Sequence, residues 1–119
     1  MKDKEIFKNL LQKNKFVFAI KEKDSNLEIN TSYIYKGSED FFTLYLVEDV
    51  KGEVYLTDGA WILDNANNLD FDTNLIIEQS KEFDIKFSER QFISKVDILN
   101  IEDIFEIFVN FAKTISIIE

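Results

Sequence analysis

The chain has 119 residues and a mass of 14.0 kDa, with 23 acidic against 14 basic side chains, no histidine and a formal charge of −9. With 45% hydrophobic and 31% charged residues it has the composition of one globular domain, 1–119, rather than of a disordered chain. The lack of Cys and His excludes a disulfide scaffold, a thiolate nucleophile, a zinc finger and the usual imidazole base.

Charge is unevenly placed. Residues 1–23 hold seven Lys and three acids, whereas Ser38 to Asp84 hold twelve carboxylates against Lys51 and Lys81. A surface this negative repels nucleic acid and anionic membrane, so no direct contact with either is expected. Charges run through Met1 to Asn14, and the apolar run Phe16 to Ile20 is five residues, far short of a membrane span. A cytoplasmic location is therefore expected. Ile, Lys, Phe and Asn, all with AT-rich codons, supply 51 residues, which points to a low-GC bacterium or one of its phages.

In chain order, Ile6, Phe7, Leu10 and Leu11 fall on one stripe and predict a helix over Asp3 to Asn14. Phe16 to Ile20 reads as a strand buried on both faces. Lys23 to Asn26 is a turn cluster, and Leu27 to Tyr35 alternates as a half-buried strand. After the break at Gly37 to Asp40, Phe41 to Val47 reads as a central strand. Asp49 to Gly52 is a hairpin loop, and Glu53 to Thr57 its return strand.

The period then changes. Asp58 can cap a short helix, Ala60 to Asn67, and Asp72 or Thr73 a second one reaching Glu82 with Ile76, Ser80 and Phe83 on one face. Ile85, Phe87 and Phe92 suggest a small hairpin about Glu89-Arg90. From Asn100, the stripe Ile101, Ile104, Phe105, Phe108, Phe111, Ala112 and Ile115 predicts a long helix. Ile107, Val109, Ile117 and Ile118 lie off that stripe, so this helix is either buried on several sides or part of a homodimer seam at Ile107, Ile117 and Ile118. The expected fold class is α+β: an N-terminal helix, a mainly antiparallel four-stranded sheet, two short helices, a small hairpin, and a long apolar C-terminal helix packed on the sheet.

The order LEINTSYIY, an acidic break, FFTLYLVED and EVYLTDGAWILDN, from Leu27 to Asn65, resembles a family of uncharacterised bacterial and phage proteins. That family's signature is a strand ending Leu-Thr-Asp-Asp-Gly, then an aromatic residue and a short helix. Leu56-Thr57-Asp58-Gly59 and Trp61 stand at those positions, with one Asp where the family often has two and Thr31-Ser32 where it tends to carry Thr-Pro. The resemblance implies a small α+β domain in a phage or mobile-element setting and no particular activity.

The Asp58-Gly59-Ala60-Trp61 turn is the most site-like feature. Structurally, Asp satisfies orphan amides and Gly permits the turn; functionally, Trp61 would be an anchor for a partner. Asp70 to Asn74 begins like a calcium loop, but Leu75 stands where Gly is needed and Lys81 where the bidentate Glu belongs. Ser80-Lys81 and Ser94-Lys95 are adjacent pairs, not dyads. Gly37, Gly52 and Gly59 lie too far apart to cradle phosphate. No catalytic, metal or cofactor site is expected.

The leading expectation is thus a non-enzymatic, acidic protein-binding module, a phage or mobile-element inhibitor that mimics nucleic acid. In size and charge it is similar to small acidic anti-CRISPR proteins. Its partner would be a positively charged protein or nucleoprotein complex, met by Glu39, Asp40, Glu48, Asp49, Asp58, Trp61, Asp64, Asp70, Asp72 and Glu78. Two alternatives stand beside it: a homo-oligomeric, antitoxin-like regulator, and a metal-dependent hydrolase or nuclease using Glu39, Asp40, Asp58 and Asp64.

Overall fold

The computed structural model describes residues 4–13, 15, 17–24, 26–34, 41–68, 70–96, 106, 109–111, 113 and 114. Helix α1 (Lys4–Gln12) leads into strands β1 (Val17–Lys23), β2 (Asn26–Ile34), β3 (Phe41–Glu48) and β4 (Val54–Thr57). Helices α2 (Trp61–Asn68) and α3 (Thr73–Ser80) follow, then a 3-10 turn over Lys81–Phe83 and strands β5 (Lys86–Ser88) and β6 (Gln91–Lys95). All strand pairs are antiparallel and form one sheet in the order β1-β2-β3-β4-β6-β5.

Register follows from alternation. Ile20 faces Ile29, Ile29 faces Leu44, Leu27 faces Leu46, and Leu46 faces Leu56, so one apolar row crosses the first four strands on a single face. Under that row pack Phe7 and Leu11 of α1, Ile62 and Ala66 of α2, Ile76 of α3, and Ile85, Phe92 and Phe111. The rings of Phe42 and Phe111 lie 6.5 Å apart, and those of Phe87 and Phe92 5.1 Å apart, both in the tilted geometry that aromatic quadrupoles favour. The other face of the sheet carries Glu28, Asn30, Thr43, Tyr45, Val47, Tyr55, Ile93 and Lys95.

The α+β class agrees with the sequence, but the strand count does not. The sheet has six strands, because the expected separate hairpin is β5-β6 and β6 pairs with β4 through Tyr55↔Lys95, Leu56↔Ser94 and Thr57↔Ile93. That pairing spans the two intervening helices, and no local periodicity reports it.

Three smaller corrections have plain causes. β1 is an edge strand rather than one buried on both faces, with Phe18 72% exposed. Ile6 is exposed, so α1 docks through Phe7, Leu10 and Leu11. α3 stops at Ser80, whose carbonyl accepts from Ile85 N, and Asp84 is left-handed (φ 57°).

Of the expected C-terminal helix, Glu106, Val109, Asn110, Phe111, Lys113 and Thr114 are described, and each is helical. The rest, including the seam residues Ile107, Ile117 and Ile118, lies outside the described residues. Among the described residues, no helix is long and apolar enough to cross a membrane.

Candidate functional site

The turn from β4 into α2 is built on one carboxylate. Asp58 is wholly buried, and its side chain accepts from three backbone amides: Ala60 N at 3.2 Å, Ile62 N at 2.9 Å and Phe92 N at 2.8 Å. Its own amide donates to the carbonyl of Phe92 at 3.2 Å. Ile62 lies in the first turn of α2, which needs acceptors, Ala60 immediately precedes that helix, and Phe92 belongs to β6. Asp58 therefore starts the helix and fastens it to the far strand. Burial pushes its carboxyl up to about 6, against the opposing pull of the backbone amides.

Beside it, the Thr57 hydroxyl donates to Gln91 Oε1 at 2.6 Å and accepts from Gly59 N at 3.2 Å. Gly59 is left-handed (φ 63°), and a Cβ there would lie 2.8 Å from Tyr45 Cε2. The turn thus presses its backbone on the Tyr45 ring, an approach only glycine allows. Ala60 is also left-handed (φ 71°), as are both residues of the β5-β6 loop, Glu89 (φ 52°) and Arg90 (φ 69°). Three residues with a Cβ therefore hold a conformation that costs of order 1 kcal/mol each.

This framework displays Trp61, which is 42% exposed at the start of α2. Asp64 stands three residues on, hence on the same helix face, and its Oδ1 lies 3.5 Å from Arg90 Nη2. An indole, a carboxylate and a guanidinium so form a polar-rimmed aromatic patch across two elements.

The acids expected at an interface do not all gather there. Asp58 is a correction: with no exposed surface and its oxygens on backbone amides, it cannot meet a partner. Asp49 organises the β3-β4 loop, where Lys51 N and Glu53 N each donate to its Oδ1 at 2.9 Å. It and Glu48 lie at the opposite end of β4 from Trp61. Asp72 caps α3 through Asn74 N at 3.0 Å. Glu78 pairs with Lys81 at 3.0 Å. Glu39 and Asp40 lie outside the described residues. Asp64, Asp70, Asp72, Glu78, Glu82 and Asp84 are all exposed, and Lys81 is the sole cation among residues 61–84.

For the hydrolase alternative, Asp58 and Asp64 do not share a solvent-facing cleft, because Asp58 is sealed under its turn. Among the described residues, no group of three or more acids is placed to hold a metal ion. Tyr45, Gln91 and Arg90 shape the turn, yet nothing in their sequence neighbourhoods marks them; each arrives by strand register.

The chain matches no family model, and no curated protein or solved structure is significantly similar to it.

Proposed function

We propose that the chain is a non-enzymatic protein-binding module whose contact centres on Trp61 and the acidic flank formed by α2, α3 and the 3-10 turn. The observation that carries this reading is a half-exposed Trp held on an over-determined turn, next to a segment with six exposed carboxylates and one lysine. Trp is enriched at binding hot spots because it adds large apolar area at small entropic cost. A rim of one charge sign steers a partner of the other sign. The partner that fits is a basic protein or nucleoprotein. In its finer form, the module is a phage or mobile-element inhibitor of a nucleic-acid-handling complex; the heavy use of Ile, Lys, Phe and Asn, whose codons are AT-rich, and the charge of −9 support that form.

The test is capture from a bacterial lysate with the wild-type chain, Trp61→Ala and the double charge reversal Asp64→Lys, Glu78→Lys. The reading expects a basic partner bound at about 50 mM salt and released near 500 mM, where the Debye length falls below about 5 Å. It expects loss of that partner with either variant while circular dichroism stays unchanged. Equal capture by all three chains would refute the assignment to this face.

A further inference from the structure

At the opposite end of β4 the sheet is incomplete. β5 begins only at Lys86, which faces Ile93, while β6 runs on past that pair to Lys95. The amides of Phe92, Ser94 and Val96 face β4, so those of Gln91, Ile93 and Lys95 face β5. Lys95 therefore turns a backbone N–H and C=O to a side where β5 offers no ladder partner. A notch of about 660 Å³ opens there, a volume ordinary for small-ligand sites.

Three of the chain's 14 basic residues line it: Lys81, Lys86 and Lys95. Lys86 and Lys95 share the sheet face that carries Tyr55 and Ile93. Lys95 is steadied by Glu53, which it meets at 3.3 Å and which also accepts the Tyr55 hydroxyl at 2.6 Å. These contacts hold the Glu53 carboxyl below its ordinary range, and the Tyr55 hydroxyl, pushed up to about 12, stays a donor at neutral pH. Lys81 keeps Glu78, but Lys86 has no ion pair among the described residues. Asp84, on the rim, offers an acceptor. In a chain of charge −9, the notch sets three ammonium groups against the two carboxylates of Glu53 and Asp84, a local excess of one positive charge, beside a Lys95 amide with no backbone partner among the described residues.

We propose that the notch binds a small hydroxyl-bearing phosphate ester, its phosphoryl group among Lys81, Lys86 and Lys95 and its body against Tyr55 and Ile93. The Lys86 ammonium, with the Lys95 amide that has no backbone partner among the described residues, suits a phosphoryl group, the carboxylates of Asp84 and Glu53 suit hydroxyls, and the tyrosine ring and Ile93 suit a flat or apolar body. The site borders the acidic flank of the Trp61 face, sharing Lys81 and Asp84 with it, but Tyr55, Lys86, Ile93 and Lys95 lie outside that face and neither proposal depends on the other.

Adenosine 5′-monophosphate is the probe, with inorganic phosphate and adenosine as comparisons, followed by heteronuclear NMR of the full chain. The expected result is saturable movement of the Lys86, Ile93 and Lys95 amides by the monophosphate at about 1 mM or below, weaker binding of phosphate, and none of adenosine. Lys86→Glu should weaken binding about tenfold, and Lys13→Glu, in the turn just after α1 and outside the notch lining, should leave it unchanged. No saturation by about 10 mM, equal loss with Lys13→Glu, or adenosine or phosphate binding as tightly as the monophosphate would overturn the proposal.

Discussion

Asp58 holds two parts of the molecule that sequence separates by 34 residues. Asp58→Ala leaves the buried amides of Ile62 and Phe92 without acceptors, and should cost about 3 kcal/mol in urea unfolding. The same side chain sets a pH dependence. Its carboxyl titrates near 6 when folded and near the ordinary ~4 when unfolded, so between those values the folded chain keeps a proton that the unfolded chain has released. The stabilising contribution is full below about pH 4 and is lost as pH rises through 6, a fall of about 3 kcal/mol for two pH units. Chemical denaturation from pH 4 to 7 should show this decline, and Asp58→Asn should remove it; an identical pH profile in that variant would disprove the attribution. Gly59→Ala forces a Cβ against Tyr45 and should cost about 2 kcal/mol or more, part of it recovered with Tyr45→Ala.

At the scale of elements, the β5-β6 loop departs from what a two-residue hairpin prefers. Both loop residues are left-handed, where Asn-Gly is favoured, yet the chain places Glu89-Arg90 there. Replacing the pair with Asn-Gly should raise stability by about 1 kcal/mol, less the small worth of the exposed Arg90–Asp64 pair. A gain in thermal midpoint together with weaker partner capture would mean that Arg90 serves the Trp61 face. The β4-β6 pairing makes a second claim. If β6 belongs to the sheet, the amides of Phe92 and Val96, bonded to Asp58 and Val54, should exchange with solvent as slowly as those of β3. Fast exchange of β5 and β6 as a separate hairpin would contradict the six-stranded sheet.

Across the whole molecule, the charge of −9 opposes compaction. Among the described residues, the ion pairs that offset it lie at or near the surface, Lys4 and Lys8 on Glu22, Lys23 on Glu28, Arg90 on Asp64, and Lys95 on Glu53 among them. Raising salt from about 20 to 200 mM should therefore raise the thermal midpoint, because screening relieves more repulsion than attraction. Trp61 and the Lys86–Lys95 notch lie toward opposite ends of β4, and the two proposed surfaces meet at Lys81 and Asp84.

Much of the local structure was readable before any coordinates. The alternation in Leu27 to Ile29 and Leu44 to Leu46, the loop at Asp49 to Gly52 and the cap at Asp72 all follow from short-range chemistry: period two, turn preference, and a carboxylate near free amides. The importance of Asp58-Gly59 was readable too, but not whether Asp58 faced water or the core. That depended on Phe92, which supplies an amide from a strand 34 residues away. Strand order, the seating of Gly59 on Tyr45, and the notch beyond Lys86 likewise arise where segments distant in sequence meet. Sequence determined which segments could be helix or strand, since those preferences are decided within a few residues. Tertiary structure alone decided which carboxylates stay in solvent and which lysines converge, because burial and proximity are properties of the packed sheet rather than of any stretch of chain.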